Sequence, residues 1–158
     1  MKNKFLLIPI MVIFMLFGFI QNAQALVQNE ADLNLEIQKL TILRDNDTLQ
    51  MINKAELIGY RLDNFNSARY AYNSSISSAI DQLNMIKDNV SKLKSDPNVE
   101  NNIKEIEEQR YYQEANNIII NLNNQASMYI YNLRMYMPSI TYDRYTRKFW
   151  DFYNSLGI

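Results

Sequence analysis

The sequence predicts an all-α protein: an elongated antiparallel helical hairpin or coiled coil with an N-terminal helix and a short aromatic C-terminal helix, following a cleavable signal peptide. Three observations predict it. The 158-residue chain holds only three Gly and three Pro, too few for the frequent tight turns of a sandwich or barrel. Apolar residues recur at alternating steps of four and three over a long central segment, the spacing of one helix face. Residues 1–25 have the layout of an export signal and stand apart from the rest.

The chain divides into a signal peptide, 1–25, and a single helical domain, 26–158, with helices expected at about 29–44, 48–94, 98–137 and 141–156. The signal begins with Lys2 and Lys4, continues through an uncharged apolar run from Phe5 to Ile20, and ends on Ala23-Gln24-Ala25. A positive end, an apolar helix-forming core and small residues at the last and third-last positions are what export and signal cleavage require, so Ala23 and Ala25 mark the expected cleavage site. An uncleaved anchor is the competing reading, although the run falls short of the roughly 20 residues that span a bilayer. Removing Lys2 and Lys4 takes the net charge from −1 to −3.

In the first mature helix, Leu33, Ile37 and Leu40 form the apolar stripe. At Asp45-Asn46-Asp47-Thr48 the chain either turns, with Asp47 or Thr48 capping the next helix, or continues through a stutter in the repeat. The turn is the favoured reading.

The second helix carries the strongest pattern: Met51, Ala55, Ile58, Leu62, Phe65, Arg69, Tyr72, Ile76, Ala79, Leu83, Ile86, Val90 and Leu93, in which Arg69 alone is neither apolar nor Tyr. Gly59 and the poor helix formers of Asp63-Asn64-Phe65-Asn66-Ser67 mark where a kink or break is expected, near 59–67. Pro97 ends this helix and suits the first turn of the next.

The third helix shows Val99, Ile103 and Ile106 on one side. After a slip in phase near Arg110, the stripe continues through Tyr112, Ala115, Ile119, Leu122, Ala126, Tyr129, Leu133 and Tyr136. A short connection makes the two long helices antiparallel, with Leu93 expected to face Val99 and Ile86 to face Ile106. The last segment holds Tyr142, Tyr145, Phe149, Trp150, Phe152 and Tyr153, with Tyr145, Phe149, Phe152 and Leu156 at helical spacing. It is expected to cap the open end of the bundle.

Composition closes several function classes. The chain has no His and no Cys, which excludes a Ser-His triad, a Cys nucleophile, a His/Cys zinc site and disulfides. The carboxylate pairs Asp45/Asp47, Glu105/Glu108 and Glu107/Glu108 fall in a turn or on a charged helix face, not in an apolar pocket that shifts a pKa. No catalytic, cofactor-binding or metal-ligating set is expected, and no enzyme activity. The Lys and Arg residues are dispersed, so nucleic-acid binding is not expected. The longest uncharged mature stretch, 115–133, contains six Asn, one Gln and one Ser, too polar for a membrane span.

One gap in the charge pattern points to contact. Residues 70–80 carry no charge, and the expected register lays them against about 113–124, where Glu114 is the lone charge. The outward residues Tyr70, Asn73, Ser74, Ser77, Asn116, Asn117, Asn121 and Asn124 then form a possible contact belt, rich in hydrogen-bonding groups that need little desolvation. Coverage by another segment of this chain, or dilution of charge by nineteen Asn in the mature sequence, accounts for the same gap without function. The functional expectation is an exported, periplasmic or secreted protein that mediates protein–protein contacts or self-association through its helices. The alternative is a periplasmic chaperone-like holder of apolar clients.

Overall fold

The computed structural model describes residues 27–46 and 60–158. The expected signal with its Ala23 and Ala25 lies outside the described residues, as does the junction 47–59 with Gly59. Among the described residues there are four helices and no strand: α1 (Glu30–Asp45), α2 (Tyr60–Ser95), α3 (Asn101–Leu133) and α4 (Ser139–Ser155). The protein is all-helical.

Local chemistry sets the ends of α1. The side chain of Asn29 accepts a hydrogen bond from the Asp32 amide at 3.0 Å, and the Asp32 carboxylate accepts from the Gln28 amide at 3.1 Å. This satisfies two donors that an unaided helix start leaves exposed. The acidic pair Glu30 and Asp32 in the first turn and Arg44 in the last complement the helix dipole. At Asn46 the backbone is extended, with ψ 118°, so α1 ends there.

The second helix is unbroken from Tyr60 to Ser95, so the break expected near 59–67 does not occur within 60–67. The reason lies in packing. Phe65, in the middle of the weak run, is fully buried and meets the Tyr145 ring edge-on at 5.8 Å, and such burial, worth about 1.5–3 kcal/mol, exceeds the modest propensity deficit of its neighbours.

The long helices α2 and α3 lie alongside one another in opposite directions, joined by residues 96–100. Lys94 pairs with Glu108 at 2.9 Å, Ser75 and Gln125 line one groove, and Tyr72 stacks on Tyr129 at 4.7 Å. Each α2 residue therefore meets α3 about one heptad farther along than expected. Ile106 does not face the buried Ile86; it is 64% exposed. Two causes combine. The connection is an Asx turn, with the Asn98 amide donating to Asp96 Oδ1 at 2.9 Å, followed by an extended Glu100. Pro97 sits in that connection, outside α3, and the slack lets α3 bury the continuous stripe Tyr112, Ala115, Ile119, Leu122, Ala126, Tyr129 and Leu133. The out-of-phase Ile103 and Ile106 stay outside.

A third column covers one side of this pair, and both ends of the described chain supply it. The first helix packs against α2 with Leu33, Leu40 and Leu43 buried, Glu30 reaching Lys94 at 3.5 Å. The last helix lies along the pair from Phe65 toward Asn123, burying Thr141, Tyr145, Phe149 and Tyr153. It thus packs lengthwise and does not cap an end. The two helices of the column meet where Lys39 Nζ donates to the Gly157 carbonyl at 2.9 Å and to Glu36 Oε1 at 2.6 Å. Gly157 closes α4 at φ +67°, a conformation that favours Gly.

Candidate interaction surface

Helical phase decides which side chains the fold leaves outside. With about 3.6 residues per turn, the positions opposite the buried stripe of α3 are Asn117, Ile120, Asn124, Met128 and Tyr131, followed by Met135 just past its end. Among the large ones, Ile120 is 46%, Met128 64%, Tyr131 70% and Met135 72% exposed, and the stretch 115–133 that carries most of them has no charge. An uncharged helical face with four exposed large apolar residues is uncommon on a surface with no partner.

The belt residues do not stay together. Asn117, Asn121 and Asn124 are exposed on α3, while Tyr70 and Ser74 are exposed on α2, Tyr70 at 78%. Asn73 and Ser77 are half-buried. Asn116 points inward: its Oδ1 accepts from the Val27 amide at 2.8 Å and its Nδ2 donates to the Val27 carbonyl at 3.2 Å. Covering by the chain itself also reaches Asn123, which accepts a hydrogen bond from the Tyr153 hydroxyl. The uncharged zones still meet despite the shifted register, because 70–80 now lies opposite roughly 120–130, all of it uncharged.

Between α2 and α3, away from the third column, runs a groove of about 140 Å³ lined by Ser75, Ser78, Ala79, Gln82, Ile118, Asn121, Leu122 and Gln125. Small-molecule sites usually occupy about 300–1,000 Å³ and are mainly apolar, so this groove suits a protein side chain better than a cofactor. Among the described residues no group of three or more His, Cys, Asp or Glu is placed to hold a metal ion. No described helix is long and apolar enough to cross a membrane.

No protein-family model matches the chain, and neither a curated protein nor a solved structure matches it. Its surface must therefore be read from its own chemistry.

One charged cluster sits near the connection. Lys94 bridges Glu108 and Glu30, and the Tyr112 hydroxyl donates to Glu108 Oε1. Burial pushes the Glu108 carboxyl up, but the hydrogen bonds from Tyr112 and Lys94 and the Lys94 charge outweigh it, leaving the carboxyl below its ordinary value of 4.5. The hydrogen bond to Glu108 in turn raises Lys94. A lowered carboxyl contributes stability above its unfolded-state value and loses it as pH falls through the folded-state value. Stability is thus expected to drop between pH 7 and about 3, and Glu108→Gln should reduce that drop. Chemical denaturation at the two pH values checks this; an identical drop in the variant removes Glu108 from the account.

Proposed function

We propose that this is an exported, non-enzymatic helical protein whose work is protein–protein contact in the bacterial envelope or outside the cell. In this reading residues 1–25 are removed after Ala25, and the two long helices act as an antiparallel coiled-coil hairpin that holds an uncharged face in place. The observation that carries the reading is the outward face of α3, where Ile120, Met128, Tyr131 and Met135 are exposed beside Asn117 and Asn124. Aromatic and Met side chains supply contact area, Asn supplies adaptable hydrogen bonds, and the lack of charge keeps desolvation inexpensive.

The chaperone-like alternative receives less support. Apolar clients need an apolar cleft, and the groove between α2 and α3 is lined largely by Ser, Gln and Asn.

Asn117→Lys combined with Asn124→Glu tests the proposal, since both positions are exposed and the fold should survive. Cross-linking in the producing cell is expected to trap a discrete partner on the unaltered protein and to lose it in the double variant. Unchanged cross-links would reject this face. An intact N-terminus in the exported protein, read by mass spectrometry, would reject cleavage after Ala25.

A further inference from the structure

Charge is distributed unevenly along the rod. Among the described residues, the part beside the connection (27–46 and 81–114) carries seven Lys+Arg against twelve Asp+Glu, a net −5. The opposite part (60–80 and 115–158) carries six against three, a net +3. Between them lies the uncharged band.

Each end also exposes large apolar side chains within its own sign of charge. Beside the connection, Ile103 is 45% and Ile106 64% exposed, with the exposed acids Glu100 and Glu105 on the same turns. At the far end, Met135 is 72% and Ile140 78% exposed, and Arg61 on α2, Arg134 just past α3 and Arg147 on α4 are exposed. The register of α2 on α3 accounts for the acidic end, since burying the stripe from Tyr112 onward leaves Ile103 and Ile106 exposed among the described residues.

We propose that the protein associates head to tail with a second copy of itself, Ile103 and Ile106 of one copy seating against Met135 and Ile140 of the next, with Glu100 and Glu105 facing Arg134 and Arg147. The proposal rests on the contact role given above but uses the ends of the rod, sharing Met135 alone with the outward face of α3. Complementary charge selects this pairing and steers encounter, while two like ends repel. A contact between unlike surfaces does not close into a symmetric dimer, so each added copy presents a fresh end and assembly is open-ended.

Sedimentation velocity on the processed protein, purified from the cell that makes it, tests this. At low salt the average mass should rise steadily with concentration. At about 1 M salt, where charges are screened beyond about 3 Å, it should return to that of the monomer. Glu100→Lys with Glu105→Lys should remain monomeric, as should Arg134→Glu with Arg147→Glu, each with an unchanged helical circular dichroism spectrum. An equimolar mixture of the two should recover mass, because each retains one native end and the reversed ends also match. A monomer at every concentration, a salt-resistant closed dimer, variants that assemble like the original, or a mixture that stays monomeric would each overturn the proposal. The Asn117/Asn124 variant retains both ends and should assemble normally, so loss of the α3 partner and loss of self-association are read separately.

Discussion

Replacing Phe149 with alanine is expected to lower the free energy of unfolding by about 3–5 kcal/mol, the cost of emptying a fully buried aromatic site. Phe149 is 0% exposed and its ring lies 5.2–6.2 Å from those of Tyr72, Tyr129, Tyr145, Trp150 and Tyr153. It joins α4 to both long helices. Truncation forfeits the transferred area, leaves a cavity among rigid rings and weakens several favourable ring pairs at once. A domain whose whole stability is about 5–15 kcal/mol has little reserve for such a loss. Phe152→Ala, at a half-buried position one turn along, should cost clearly less. Urea denaturation checks the pair, and a loss under about 1 kcal/mol at Phe149 would mean that α4 is not held by this cluster. Deleting 139–158 extends the test: it should lower thermal stability substantially, since the segment is packed lengthwise.

The second large effect is expected in alkali. Burial, with Tyr153 next to it, raises the Tyr72 phenol well above its usual value near 10. Burial likewise raises Tyr153, and burial together with the Glu108 carboxylate raises Tyr112. These phenols stay protonated in the fold while the unfolded chain ionises near pH 10. A group raised in the folded state contributes its full stability below the unfolded value and loses it as pH rises, at about 1.4 kcal/mol per pH unit for each phenol. Stability should therefore be flat from pH 8 to about 9.5 and fall steeply above pH 10. Tyr72→Phe keeps the ring stacked on Tyr129 and removes a buried hydroxyl that has no hydrogen-bond partner among the described residues. Its stability at neutral pH should be equal or higher, and its decline in alkali shallower. A decline as steep as that of the unaltered protein would show that Tyr72 ionises freely in the fold.

Much of the helical character was legible because it is local. The buried run Phe65, Tyr72, Ile76, Ala79, Leu83, Ile86 and Val90 is the same run that heptad spacing picks out, and the phase slip near Arg110 separates the buried part of α3 from Ile103 and Ile106. What spacing cannot supply is the axial offset between two helices with similar stripes. Two alignments one heptad apart both match apolar with apolar, and they differ in which short group of side chains is left outside. The third column was hidden for another reason. It depends on non-local contacts such as Lys39 with Gly157, separated by 118 positions, and no periodicity in the chain records that pairing. The outward face of α3 carried a readable signal in the spacing Ile120, Asn124, Met128, Tyr131 and Met135. Among the Asn- and Ser-rich positions of the uncharged zones, Asn116 and Ser77 are partly covered by the fold.

The central claim is that the outward face of α3 makes a specific protein contact. A photo-reactive residue placed at Asn124 and activated in the producing cell tests this directly, with Lys92, exposed on the charged part of α2, as the control. The account predicts a discrete cross-linked protein from position 124 and none from position 92. No product at 124, or the same product at both positions, would contradict it.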